Sequence, residues 1–405
     1  MESQKVLLSF LGTGTYEPID VRYQGQAHRS AYVQHALAAF FPQYELRVAM
    51  TPAARRANAH GLKPLTYEAV ELPDDVADHS GHFAAIASAV PAGCSLIIDV
   101  THGFRFQPLL ALAAAQLLSE ANGVRVVEIL YLPYERGVQE AELLSLRAYM
   151  ELLEWSKATA EYTGTGNASA FGSKLKAIQT SAHRAGHTEL PKAFSAFGEL
   201  TERLGLEVEL NRVSDARKTL EKLDKRLAEV EKEILRFPLA EPMRLIWHRV
   251  RESLGRLTSA GQEGTVPVGG PGNADAMTQL QFSRNLIQEH LRFGRLVQAI
   301  TLARESMVSY YAYASGRDAN VKRDRDDVEN ELNSLRQQGA IRSQTPAAGD
   351  TALLGANPDI VLWDRVTQVR NDINHAGQGR ANAASAKQAK TTIDDLCRKV
   401  VELLG

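Results

Sequence analysis

Along the first 150 residues, apolar positions come in short runs separated by stretches with helical spacing. Val6–Leu11, Leu46–Met50, Ser95–Ile98 and Val124–Leu132 read as buried strands, and Glu68–Leu72 as one more. Ala31, Val33, Ala36, Leu37, Phe40 and Phe41 recur at helical steps, as do Phe83, Ile86, Ala87 and Val90. Gln107–Leu118 is an apolar helix pattern. Strand and helix alternate, which predicts a Rossmann-like α/β domain over residues 1–150.

From about Ala148 onward, strand patterns almost vanish, which predicts an all-α region over 151–405. Val213, Leu220, Leu223, Leu227, Val230 and Ile234 step by threes and fours, and the other faces carry Lys, Arg, Glu and Asp. This predicts a long amphipathic helix, packed either against a second chain or within its own bundle. Residues 258–275 hold five glycines and two prolines and read as a loop, as do 338–358. Gln279–Tyr313 supports one or two helices. Asp359–Gln368 leads into a helix carrying Arg370–His375, and Ala383–Leu404 closes the chain. No internal repeat is visible.

The 405 residues suggest two or three domains, with 44% hydrophobic residues to fill their cores. A formal charge of -2 excludes a generally basic nucleic-acid binder, so any RNA contact has to come from a local patch. Two cysteines far apart, Cys94 and Cys397, argue against a disulfide framework. With no signal-peptide pattern ahead of the first strand, a cytoplasmic location is expected. The longest apolar run is broken by Gln116 and too short for a bilayer, so no membrane partner is expected.

Candidate chemistry gathers first at Asp99-Val100-Thr101-His102-Gly103, where a strand ends and a helix begins. Open parallel sheets bind ligands just outside the carboxyl ends of their strands. Asp99 and Thr101 can orient or accept, His102 can donate or titrate, and Gly103 lets a ligand approach the backbone. The following helix favours an anion, and Arg105 can neutralise a phosphate. A second glycine turn, Gly12-Thr13-Gly14-Thr15, follows the first strand and faces the same way. Glu17 stands where a dinucleotide fingerprint needs a small residue, which argues against nicotinamide or flavin. A tight βα connection with a satisfied histidine explains the Asp99 turn as well.

The second candidate is Arg370-Asn371-Asp372-Ile373-Asn374-His375. Five residues span about 7.5 Å of helix, within joint reach of one phosphodiester. His375 would activate a ribose 2′-hydroxyl or protonate the leaving 5′-oxygen, and Arg370 would stabilise charge on phosphate. Asn371 and Asn374 would orient those groups. With 32 arginines and 11 histidines, about one such pair arises by chance, and Arg55–His60 is another. His79/His82 and His183/His187 have metal-compatible spacing but no carboxylate or cysteine set completing a site, so no metal is expected. Cys94 and the tyrosines 310, 311 and 313 read as packing, and Arg304–Glu305 as a helix charge pair or a support for the Arg–His site.

These motifs carry a resemblance. Asp99–Gly103 matches the Asp-x-Thr-His-Gly signature of a family of CRISPR-associated proteins, and Arg370–His375 matches the Arg-x4-6-His motif of HEPN ribonucleases. Their order resembles that of type III CRISPR ancillary ribonucleases: an N-terminal CARF sensor, then a HEPN domain. The resemblance covers both ends of the chain but not residues from about 150 to 275. It implies a homodimer or larger homo-oligomer that binds a cyclic oligoadenylate, with the tetra-adenylate expected, as allosteric activator. It further implies single-stranded RNA cleavage at a composite site, with no cofactor for catalysis. Gly12, Thr13, Gly14, Thr15, Asp99, Thr101, His102, Gly103 and Arg105 would bind the activator; Arg370, His375, Asn371 and Asn374 would be catalytic. Two alternatives stay open: a non-catalytic nucleotide sensor whose Arg-x4-His match is chance, and an α/β domain that also degrades its own ligand.

Overall fold

Runs of Val, Leu and Ile that are apolar on both faces need cover on both sides, and a parallel sheet flanked by helices provides it. The computed structural model describes residues 3–133, 137–184, 191–236, 241–258, 273–344, 358–374 and 385–405. The chain divides into two units, Met1–Glu154 and Trp155–Gly405.

The first unit opens with β1 (Lys5–Phe10), β2 (Ile19–Tyr23), β3 (Gln26–Ser30) and α1 (Val33–Phe40). Next come β4 (Glu45–Met50), α2 (Pro52–Asn58), β5 (Glu68–Glu71), α3 (His79–Ser88) and β6 (Ser95–Asp99). It continues with α4 (Phe106–Asn122), β7 (Arg125–Tyr131), β8 (Glu140–Glu142), β9 (Leu144–Ser145) and the first turns of α5 (Arg147–Thr165). The main sheet runs β5-β4-β1-β6-β7-β9. All its pairings are parallel except that of β9. β1 pairs with both β4 and β6, so the chain winds outward in one direction from β1 and in the other from β6. That reversal of strand order opens a crevice at the carboxyl ends of β1 and β6.

The hydrophobic pattern did not disclose the second, small sheet, β3-β2-β8. The β2–β3 hairpin turns on Gln24 and Gly25, with φ of 48° and 80°, the left-handed pair a two-residue hairpin needs. β3, Gln-Ala-His-Arg-Ser, has no fully buried position, so no apolar run marks it.

The second unit is helical: the remainder of α5, then α6 (Ser169–Arg184), α7 (Lys192–Glu209), α8 (Val213–Arg236) and α9 (Glu241–Thr258). They are followed by α10 (Asn273–Arg292), α11 (Leu296–Ala314), α12 (Lys322–Gln344), α13 (Pro358–Asn374) and α14 (Ala386–Leu403). The long amphipathic helix is α8, and its apolar stripe is spent within its own unit: Leu220, Leu223, Val230 and Ile234 are buried in the helical core. α6 and α7 pack closely where two glycines meet. A Cβ on Gly172 would lie 2.7 Å from the Gly198 carbonyl oxygen, and one on Gly198 2.6 Å from that of Gly172. The loop expected over 338–358 begins later than the pattern suggested, because α12 continues to Gln344. Most of the expected 258–275 loop lies outside the described residues.

Candidate functional site

The crevice is built where β1 and β6 end. Leu11, Gly12, Thr13 and Gly14 after β1, Tyr16, Thr51 and Ala54 beside them, and Thr101 through Phe104 with Gln107 line a cavity of about 240 Å³. The two glycine turns nearly touch: a Cβ on Gly12 would sit 2.8 Å from the Tyr16 hydroxyl and 3.3 Å from the Gly103 nitrogen. Gly103 has φ of 99°, a backbone conformation that excludes most side chains. Asn58 Nδ2 donates to the carbonyls of Gly12 and Gly14, each at 2.8 Å, and holds the first turn open. The Tyr32 hydroxyl donates to Asn58 Oδ1 at 3.3 Å.

Asp99 lies beneath this floor, fully buried. Its Oδ1 accepts from the Thr101 amide at 3.0 Å and from Thr101 Oγ1 at 2.5 Å, and its Oδ2 accepts from Ser9 Oγ at 2.6 Å. Burial pushes its carboxyl up to about 6, against the opposing pull of the Ser9 and Thr101 hydrogen bonds. His102 packs its ring on Tyr16, with centroids 4.3 Å apart. Burial holds its imidazole down to about 4, so it is neutral at pH 7. Tyr16 is itself pushed above its ordinary value, chiefly by burial.

The structure therefore brings Gly12, Thr13, Gly14, Thr101, His102 and Gly103 to one cavity wall. Thr15 and Arg105 are exposed and absent from that lining, and Asp99 supports it from below. Gln107 Oε1 accepts from the Phe104 amide at 2.9 Å, so a side chain already satisfies that N–H at the start of α4. Tyr16, Thr51 and Gln107 were not singled out from sequence. Thr51 had a signal: a threonine before proline directly after a strand, here the N-cap of α2, accepting from Ala54 N.

The second candidate set lies on α13. Arg370 is half-buried; its Nη1 donates to Asn371 Oδ1 at 3.1 Å, while its Nε is buried without a hydrogen-bond partner. Asn371 is half-buried and Asn374 exposed. His375 lies outside the described residues. Two turns earlier on α13, Trp363 is fully buried, with the Arg304 guanidinium 5.0 Å from its ring. Arg304 also grips Glu329 at 2.6 Å and Glu305 at 2.6 Å, and Arg325 grips Glu305 at 2.6 Å. Arg304–Glu305 is thus part of an ion-pair network joining α11 to α12. The Tyr313 hydroxyl donates to Gln279 Oε1 at 3.0 Å, and Tyr310 and Tyr311 pack edge-on at 5.2 Å.

His82 is fully buried, edge-on to Phe106 at 5.0 Å, and His79 meets the same ring at 5.6 Å. His187 lies outside the described residues. No cluster of three metal-ligating side chains occurs among the described residues. Likewise, no helix among them is long and apolar enough to cross a membrane.

No family model matches this chain, and no curated protein matches it. Among solved structures it is similar to Enterococcus italicus Csm6 bound to cyclic hexa-2'-fluoro-hexa-dAMP. That match has 10% identity and a TM-score of 0.35, over 99% of this chain and 94% of that one.

Proposed function

We propose that this chain is a cyclic-oligoadenylate-activated endoribonuclease with a CARF-type sensor in its first unit and a HEPN-type nuclease in its second. The observation that carries the reading is the crevice itself. At a reversal of strand order, two glycine turns and an imidazole surround a cavity suited to a phosphate and its nucleoside. At about 240 Å³ it is smaller than the ~300–1,000 Å³ of pockets that enclose whole drug-sized ligands. It would take one portion of a ring. A twofold homodimer would present two such crevices, and a ring with an even number of nucleotides shares that symmetry.

In the second unit, His375 would take the proton of a ribose 2′-hydroxyl. The 2′-oxygen bonds to phosphorus as the bond to the 5′-oxygen breaks, and that oxygen takes up a proton from water, leaving a 2′,3′-cyclic phosphate and a 5′-hydroxyl. Arg370 would stabilise charge on the phosphoryl oxygens, and Asn371 and Asn374 would orient the backbone. All of these groups come from side chains, so the reaction needs no metal. An activator bound to the first unit has this effect only if it favours the active arrangement of the second.

The test incubates purified protein with labelled single-stranded RNA and EDTA, with and without cyclic tri-, tetra- and hexa-adenylate. Cleavage should require a ring, and His375→Ala should abolish it while ring binding persists. Ring binding with identical RNA behaviour of wild type and His375→Ala would leave a non-catalytic sensor in its place. No ring-dependent cleavage and no ring binding would overturn the reading altogether.

A further inference from the structure

Three polar side chains, Ser9, Gln34 and Asp99, are fully buried beneath the crevice, in a sheet core that is mostly Val, Leu, Ile and Ala. They form one connected chain. Gln34 Nε2, from α1, donates to the Phe10 carbonyl at 2.9 Å and to Ser9 Oγ at 3.0 Å. Ser9 Oγ donates to Asp99 Oδ2 at 2.6 Å. Asp99 Oδ1 receives both the amide and the hydroxyl of Thr101. Thr101 Oγ1 in turn accepts from the Leu132 amide at 3.0 Å. The chain therefore begins at Phe10, the residue leading into the Gly12–Gly14 turn, and ends in the Thr101–Gly103 turn.

Stability alone does not account for it. Gln34 Oε1 is buried with no partner, a loss of about 1–3 kcal/mol for an orphaned buried acceptor. A carboxylate sits at the hub, and no Lys or Arg is among the groups bonded to it. Aliphatic side chains at positions 9 and 34 would bury as well without stranding an acceptor. What the chain does supply is geometry. The single hydroxyl proton of Thr101 is committed to Asp99, so Thr101 can offer a ligand no donor. It serves as a strut for the turn.

We propose that Ser9 and Gln34, acting through Asp99, are positioning residues that lock the two ligand-lining turns to each other, so that the crevice holds one shape. Its bearing on the activator rests on the reading above, but its structural content does not. Neither residue belongs to the Asp-x-Thr-His-Gly signature or lines the cavity.

The test uses full-length Ser9→Ala, Gln34→Met and the double variant, with two readouts. Amide hydrogen exchange should rise about tenfold at residues 12–14 and 101–103 in each single variant, the loss expected for one net hydrogen bond of about 1.4 kcal/mol. Strand amides of β1 and β6, which report the stability of the whole first unit, should change by less than the turn amides. The double variant should match the singles, because a chain broken once is already broken. Cyclic tetra- and hexa-adenylate affinity should fall in parallel, about tenfold. Gln34→Met stands alone if Ser9→Ala does not fold. Unchanged turn exchange, additive effects, or a loss of protection in β1 and β6 as large as that in the turns would overturn the proposal. If wild type binds no ring while the turns loosen as described, the activator assignment falls and the positioning role stands.

Discussion

Asp99→Asn isolates the energetic consequence of placing a carboxylate under the crevice floor. Asparagine keeps the shape and removes the titration. Burial raises the Asp99 carboxyl from its ordinary 3.8 to about 6, worth about 3 kcal/mol between its two protonation states. The folded chain holds this proton more tightly than the unfolded chain. Asp99 therefore contributes most favourably below pH 3.8, and that contribution is lost as pH rises through about 6. Wild type should lose about 2 kcal/mol relative to Asp99→Asn between pH 4 and pH 7. All three tryptophans, Trp155, Trp247 and Trp363, lie in the second unit, so their fluorescence reports the wrong part of the chain. Hydrogen exchange of β1 and β6 amides does report on the first unit, and intrinsic exchange rates cancel in the wild-type–variant difference. A difference flat across that pH range, or one growing in wild type's favour as pH rises, would refute the assignment of a buried carboxylate with no cation bonded to it.

His102 should titrate near 4 by carbon- or proton-detected NMR, and the folded state should be disfavoured as pH falls from 6.5 through 4 because only the unfolded chain takes up that proton; a midpoint near 6.5 would show the ring to be solvated. Gly198→Ala should destabilise the second unit by about 1–3 kcal/mol, since its Cβ would fall 2.6 Å from the Gly172 carbonyl oxygen and backbone cannot yield as a side chain does; chemical unfolding followed by tryptophan fluorescence measures it, and unchanged stability would mean that the α6–α7 contact is looser than described.

The main sheet was legible because its central strands β1, β4 and β6 are buried on both faces, and the order of strand and helix left few topologies to consider. The β2–β3 hairpin was not: β2, Ile-Asp-Val-Arg-Tyr, does alternate, but over five residues only, and its partner β3, Gln-Ala-His-Arg-Ser, has no buried position to match it. The Asp99–Gly103 turn was legible as a string of reactive residue types, yet their roles were not. Whether Asp99 faces ligand or core depends on Ser9, 90 residues away, and Ser9 meets it only because β1 pairs directly with β6. Ser9 and Gln34 did leave a trace. Each is the polar residue on an otherwise buried face, Ser9 within Val-Leu-Leu-Ser-Phe and Gln34 beside Val33, Ala36 and Leu37. A polar residue at a core position predicts a partner without naming it. Tyr16 gave no periodic signal, because its partner His102 arrives from another strand end. On α13, the sequence pairs Arg370 with His375 by spacing alone, and the structure adds the neighbouring Asn371 contact and the buried Trp363 beneath.

The crevice lining holds no lysine or arginine, and burial keeps His102 uncharged at neutral pH. An anion there meets N–H groups, hydroxyls and ring edges rather than a full positive charge. Neutral donors compensate the desolvation of a phosphate only when several are aligned at once. A lysine on a long flexible stem can follow its ligand, but a glycine turn cannot. Affinity in such a site is therefore set by how rigidly the turns are held, and rigidity has to come from beneath. That is the place of the Gln34–Ser9–Asp99–Thr101 chain, and it explains why a buried carboxylate is tolerated without a cation. The same connectedness would serve the proposed activation. An effector shifts an equilibrium only by its differential affinity for two states. Two turns locked to one another change state together, so a ligand that fits one arrangement is penalised by the whole displacement of the other.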